Sequence, residues 1–194
     1  MYYSQAGQEE WIISETRGKK LGYFIDVGAY DGIKYSNTYF LEKELNWNGI
    51  CIEADPNNYG LLIQNRKCNC QNIAVSDFTG KIKFNPSDMG GKIDKLGKVE
   101  IACDTLENIL IKSGCPNTID YLSVDIEGNE VEAIRNFPFN KWRINYITIE
   151  HNLYSEGDSR KKEIKKILEK YGYFLKKENV THNNLPFEDW YSLI

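Results

Sequence analysis

Five short apolar runs separated by helical patterns constrain this chain more than any other feature. They are LGYFIDV (21–27), GICIEA (49–54), QNIAV (71–75), IDYLSVDI (119–126) and INYITIE (144–150). Several are apolar throughout instead of alternating, which is how strands covered on both faces read. Between the first two runs, Thr38, Leu41 and Leu45 recur at i, i+3 and i+7, with Ser36 a candidate N-cap. Pro56 suits the first turn of a second helix through NNYGLLIQNR. Ile164, Ile167, Leu168 and Tyr171 form an apolar stripe after Asp158 and Ser159, and Gly172 stops it. The β-α-β-α-β order requires crossover helices and predicts an α/β fold, a doubly wound, mostly parallel sheet with helices on both faces. FEDWYSLI (187–194) reads as a last strand added antiparallel at the sheet edge.

At 194 residues, with no repeat and no linker, the chain is expected to form one domain over 1–194. Residues 1–20 read as an N-terminal helical segment. Residues 78–103 break the rhythm and read as an insertion with a short hairpin. Within it, 85–98 is expected to be a loop, with SDMGGK (87–92) mobile. The 24 basic and 28 acidic residues give a net charge of −4, which offers no footprint for nucleic acid. The basic cluster RKKEIKK (160–166) reads as a solvated helix face. Five cysteines, an odd number without zinc spacing, suggest buried thiols in a reducing compartment. The opening MYYSQAGQEEW lacks the order of a signal peptide, and no apolar stretch approaches the roughly 18 residues that span a bilayer. The expectation is a cytoplasmic protein with neither membrane nor nucleic acid as partner.

Ligands of open α/β sheets bind beyond the carboxyl ends of the strands, where strand order reverses. The turn DVGAYDG after the first strand belongs there, with Gly28 allowing close backbone approach and Gly32 the turn before the helix. Glu53 ends the second strand, where a carboxylate can accept both hydroxyl hydrogens of a ribose. A nucleoside cofactor follows, and two are in competition. A dinucleotide would call for G-x-G-x-x-G, but the spacing here is Gly28-x-x-x-Gly32. Asp26 would also repel a pyrophosphate. The same carboxylate suits the ammonium of S-adenosylmethionine, and the charges favour that cofactor.

The pieces YSQAGQEEWI (3–12), FIDVGAYDGIKYSNTYFLEK (24–43), WNGICIEADP (47–56), NIAVSD (72–77) with Gly80, and YLSVDIEGNEVEAI (121–134) then fall in a specific order. In these the chain resembles the FkbM-type family of S-adenosylmethionine-dependent methyltransferases. The resemblance spans most of the chain, though 85–98 carries no motif that aligns. It implies a seven-stranded Rossmann-like sheet and methyl transfer, commonly to hydroxyl oxygens. It assigns the methionine moiety to Asp26, Gly28 and the neighbouring backbone of Ala29, and the ribose to Glu53. Ala54 and the Ala74–Asp77 turn, including Ser76, would flank the adenine, with Asp77 reaching its exocyclic amine. Ser36 would cap the helix or touch the cofactor carboxylate. Gln5 and Gln8 could fold over the cofactor.

VDIEGNE is the second focus. Asp125 and Glu127 lie two apart at a strand end, and in extended geometry they point the same way. Glu130 falls near the next helix start, and Glu150 and His151 end the following strand. These groups suit either proton removal from an acceptor hydroxyl or a divalent metal that lowers its pKa. Asp125, Glu127, Glu150 and His151 are taken as the catalytic set, Asp125 also as a cofactor contact, and no metal ligands are assigned. His182 in VTHNNLP reads as an exposed loop residue. The acceptor is expected to be a glycan or other small hydroxylated molecule, walled by 85–98 and HNLYSEGDS (151–159). The rival readings are an inactive methyltransferase fold used as a binding module and a nicotinamide-dependent oxidoreductase.

Overall fold

The computed structural model describes residues 2–87 and 90–193, and only the backbone of Glu156. Residues 88 and 89 of SDMGGK, expected to be mobile, lie outside the described residues. The first half of the chain folds in the expected order. Helix α1 (Gln8–Glu15) precedes strand β1 (Tyr23–Val27), helix α2 (Tyr39–Leu45), strand β2 (Asn48–Glu53), helix α3 (Pro56–Asn65) and strand β3 (Asn69–Asn72). Strands β4 (Ala74–Ser76), β5 (Gly80–Asn85), β6 (Lys92–Ile93) and β7 (Val99–Thr105) follow. Helix α4 (Leu106–Lys112), strand β8 (Thr118–Val124), helix α5 (Glu130–Arg135) and strand β9 (Arg143–Glu150) restore the alternation. Helices α6 (Leu153–Glu156) and α7 (Asp158–Lys170) lead to strands β10 (Phe174–His182) and β11 (Leu185–Ser192).

Seven strands form the main sheet in the order β10-β11-β9-β8-β1-β2-β3. Strand order reverses between β1 and β8, so the crevice beyond their carboxyl ends is the expected ligand position. The apolar runs bury both faces. Leu106, Val131, Ile134, Ile164 and Leu168 cover one face, from α4, α5 and α7. Trp11, Ile12, Leu41 and Leu62 cover the other, from α1, α2 and α3.

Three expectations change. QNIAV is not one strand: β3 pairs with β2, whereas β4 pairs with β7 in a second, four-stranded sheet of order β4-β7-β5-β6. The chain passes between sheets at Ile73, and Asn72 Nδ2 pins the crossing by donating to the carbonyls of Glu53 and Ala54 at 2.8 and 3.2 Å. The region 85–98 is correspondingly not all loop, since β6 lies within it and pairs antiparallel with β5. FEDWYSLI supplies most of an interior strand: β11 is antiparallel to both β9 and β10, and β10 is the edge. The reason lies in composition. FLKKENVTH alternates mostly exposed charged and polar residues, which protect an edge, while β11 is buried from Phe187 to Ser192. Asn183 and Asn184, at φ 51° and 65°, supply the left-handed pair a two-residue hairpin requires.

RKKEIKK also differs from a uniformly solvated face. Lys161 is buried and donates to Glu178 Oε1 at 2.8 Å, and Arg160 donates to the carbonyl of Gly128. The helix is amphipathic, but its long cations reach polar groups at its margins. No helix among the described residues is long and apolar enough to cross a membrane.

Candidate active site

Sheet register places the functional groups on one rim. Val27 is level with Ile52 of β2 and with Val124 of β8, and Val124 is level with Ile149 of β9. One residue further on stand Gly28, Glu53, Asp125 and Glu150, side by side at the carboxyl ends. Around them opens a cavity of about 350 Å³.

The turn after β1 is fixed by two close approaches. Gly28 has φ 90°, and a Cβ there would stand 1.7 Å from the carbonyl oxygen of Asp125. The room at Gly28 therefore admits the neighbouring turn as much as any ligand. Gly32, at φ 82°, is pressed by Leu62 and Arg66, each 2.7 Å from where a Cβ would lie. Both positions exclude a side chain by conformation and by space.

Asp26 is buried, and Thr38 Oγ1 donates to its Oδ2 at 2.6 Å. Arg66 Nη2 in turn donates to Thr38 Oγ1 at 2.9 Å. Burial raises the Asp26 pKa, opposed by the Arg66 charge and the Thr38 hydrogen bond. Glu53 is gripped by backbone: Oε2 accepts from Tyr30 N–H at 2.8 Å and Oε1 from Asp55 N–H at 2.7 Å. Burial still dominates over these donors and pushes its pKa up to about 7. Two oxygens so fixed retain lone pairs for a ribose diol.

Ser36 lies between the helix start and the cavity. Its Oγ accepts from Tyr39 N–H at 3.0 Å, and it lines the cavity. It is not the N-cap residue, however: α2 begins at Tyr39 after Thr38, so Ser36 caps from outside the helix. Beside it lies Asn37, a residue the sequence reading passed over. Its Nδ2 donates to Ser123 Oγ at 3.0 Å, while its buried Oδ1 has no partner. That orphaned acceptor, in a cavity also lined by Asp26, fits the ammonium of an amino-acid moiety. Ala29, Ala54, Ala74, Val75 and Ile73 line the same cavity, as does Gln5.

Four of the expected residues lie away from the cavity lining: Ser76, Asp77, Gln8 and His151. Ser76 and Asp77 are not among the lining residues. Strand β4 carries Ser76 into the second sheet, where it pairs level with Thr105, and Asp77 lies on the surface, 3.8 Å from Arg135. Gln8 is buried against the fold, with Nε2 donating to Glu188 Oε1 at 3.1 Å. His151 is buried but turned away from the lining: its Nε2 is 3.3 Å from Asp189 Oδ1, and its Nδ1 accepts from Leu153 N–H at 3.2 Å. Consecutive residues on a strand point to opposite faces, so Glu150 and His151 could not both enter the crevice in extended geometry.

Asp125, Glu127 and Glu150 do converge on the cavity, with one carboxylate oxygen from each within 4.8 Å of the others. The route differs from the expected extended geometry. Strand β8 ends at Val124, and Glu127 is itself left-handed, at φ 55°, with Gly128 following at φ 114°. Glu130 holds this turn instead of joining the cluster: its Oε1 accepts from Ile126 N–H at 3.1 Å and Gly128 N–H at 2.9 Å. Burial and mutual repulsion raise the pKa values of Asp125 and Glu150, and burial with the Glu130 charge raises that of Glu127.

Parts of 85–98 and 151–159 also line the cavity. Phe84 of β5 and Ile93 of β6 come from the second sheet, Gly91 from just before β6, and Asn152 and Tyr154 from the segment after β9. His182 is half-buried at the end of β10 and lines the cavity, in place of an exposed loop. Its ring stands edge-on to Tyr35 at 5.9 Å.

A seven-stranded sheet with acids at its switch point is the fold of S-adenosylmethionine-dependent methyltransferases. Methyltransferase FkbM from Methylobacillus flagellatus KT is similar in structure, with a TM-score of 0.62 and 15% identity over 88% of this chain and 43% of that one. The N-terminal domain of human METTL16 in complex with SAH is similar at 0.57 and 12%, over 95% and 68%. A TehB-like SAM-dependent methyltransferase from Corynebacterium glutamicum ATCC 13032 Kitasato is similar at 0.56 and 10%, over 95% and 86%. The chain thus spans less than half the length of the first of these. No curated protein matches it in sequence. Residues 26–175 match the Methyltransferase FkbM domain, and the chain belongs to that family.

Proposed function

We propose that the protein is an S-adenosylmethionine-dependent O-methyltransferase acting on a hydroxyl of a sugar, glycan or other small hydroxylated molecule. The observation that carries this reading is the shared cavity. Glu53, held for a ribose, and Asp26 with the unpartnered Asn37 Oδ1, suited to an ammonium, line the same space as Asp125 and Glu150. S-adenosylmethionine, when bound, supplies an electrophilic methyl group.

The residues of the chain do the rest. Glu53, Asp26 and Asn37 fix the donor's ends, which sets the direction of attack. An alcohol is a weak nucleophile until its proton departs, and Asp125, with a pKa raised by burial and by neighbouring carboxylates, is placed to take that proton. Tyr154, His182 and Phe84 narrow the space and exclude water around an acceptor. The polar, aromatic lining suits a sugar ring. The five free cysteines support a reducing, cytoplasmic setting.

Calorimetry with S-adenosylmethionine, S-adenosylhomocysteine and NAD tests the donor. Binding of the first two and not the third is expected, and preference for NAD would overturn the reading. Mass spectrometry after incubation with sugars, nucleotide sugars and small phenols tests the acceptor. Transfer only to a nitrogen or carbon atom would overturn the oxygen assignment.

A further inference from the structure

We propose that Asp125, Glu127 and Glu150 bind a divalent cation of the magnesium or manganese class, with Asn152, which lines the same cavity, as the source of a further oxygen. Three carboxylates with oxygens within 4.8 Å of one another repel strongly unless protons or a cation come between them. A second observation points to the cation. Glu150 is 5% exposed, and its Oε2 is buried without a hydrogen-bond partner. Asn152, 6% exposed and two residues further on, has an Oδ1 in the same condition, and it lines the same cavity. Buried oxygens left unmatched are costly, so a folded chain that keeps one within an acid cluster and another on a residue lining the same cavity is arranged for something that meets them.

Cations around the cluster have other partners. Arg160 is drawn to the carbonyl of Gly128 and stands 3.5 Å from Glu130 Oε2. Lys161 is bound to Glu178. Lys92 acts on Glu127 through its charge. The donor set is all oxygen, which selects hard ions over zinc or copper, and the neighbouring His151 faces Asp189. The turn is preformed as well: the Glu130 carboxylate holds the N–H groups of Ile126 and Gly128 that carry Glu127. An ion held here keeps open positions for water or an acceptor oxygen. Its effect on methyl transfer rests on the function proposed above, but its binding does not.

The test is a titration with Mn²⁺ followed by the electron paramagnetic resonance of the free ion, with Mg²⁺ as competitor. S-adenosylhomocysteine binding is measured separately by calorimetry. One saturable, Mg²⁺-competed site per chain is expected. Glu150→Gln and Glu127→Gln should each weaken it roughly 10- to 100-fold, with circular dichroism and S-adenosylhomocysteine affinity unchanged. No saturable binding tighter than about 1 mM, or equal binding by the folded Glu150→Gln variant, would overturn the site. Mn²⁺ binding without S-adenosylhomocysteine binding would instead overturn the methyltransferase reading and leave the cation site standing.

Discussion

On the β1–β2 side of the rim, each acid is met by donors from the fold: Thr38 Oγ1 for Asp26, and the N–H groups of Tyr30 and Asp55 for Glu53. On the β8–β9 side, Asp125, Glu127 and Glu150 chiefly face one another, and Glu150 Oε2 has no partner. Both sides are buried enough to raise carboxyl pKa values, so burial alone does not distinguish them. The difference lies in what completes each side. The first is preorganised for a molecule with hydroxyl and ammonium groups to donate. The second remains electrostatically incomplete until a positive charge or a proton arrives.

The largest effect that would sharpen this contrast is on turnover. Asp125→Asn should lower kcat by roughly 10²- to 10⁴-fold and change S-adenosylhomocysteine affinity little. Parallel losses in both would make Asp125 part of the donor side. Next comes the joint between the sides. Gly28→Ala should cost about 3 kcal/mol of folding stability or more, because it combines a clash with the Asp125 carbonyl and a left-handed backbone. An unchanged thermal midpoint would show that the two turns are not in firm contact.

A smaller effect separates the sides by pH. A ribose diol donates best to an ionised Glu53, so S-adenosylhomocysteine should bind more tightly as pH rises through about 7. Glu53→Gln should abolish that slope and weaken binding about 10-fold or more. A slope retained in the variant would assign it elsewhere. The sign for folding is opposite. An acid with a raised native pKa stabilises the fold fully below its unfolded pKa, and that contribution is lost as pH climbs through the native value.

The smallest expected effect concerns an acid outside both sides. Glu188 is buried beneath Gln8 and Trp190, and burial pushes its pKa to about 8. Glu188→Gln should flatten the decline of the thermal midpoint between pH 6 and 8.5, read on the order of a few degrees. S-adenosylhomocysteine affinity should not change. A change in affinity would mean that this acid belongs to the donor side after all.

Much of this architecture was legible because parallel strands write continuous apolar runs. The five runs all contain strands, and Asp26, Gly28, Glu53, Asp125 and Glu150 fall around the same cavity because strand ends are where sequence and register agree. The failures share a physical cause. Strand β10 carries too few apolar residues to announce itself, since an edge needs only its pairing partner. The division of QNIAV between two sheets depends on β7, which lies more than twenty residues away. His151 follows Glu150 in sequence but takes the other face, and Asp77 is carried outward by a strand change that local pattern does not reveal. Asn37 stood inside a motif already quoted; its role comes from an acceptor left open, which only side-chain geometry reveals.

The contact between the Asp125 carbonyl and the space above Gly28 has a consequence for how such a scaffold diversifies. Under the function proposed above, it is a fixed spacer between the place where a methyl group is offered and the place where it is taken. New acceptors would then be accommodated by redrawing the outer walls at Phe84, Ile93 and Tyr154, with the reacting distance inherited unchanged.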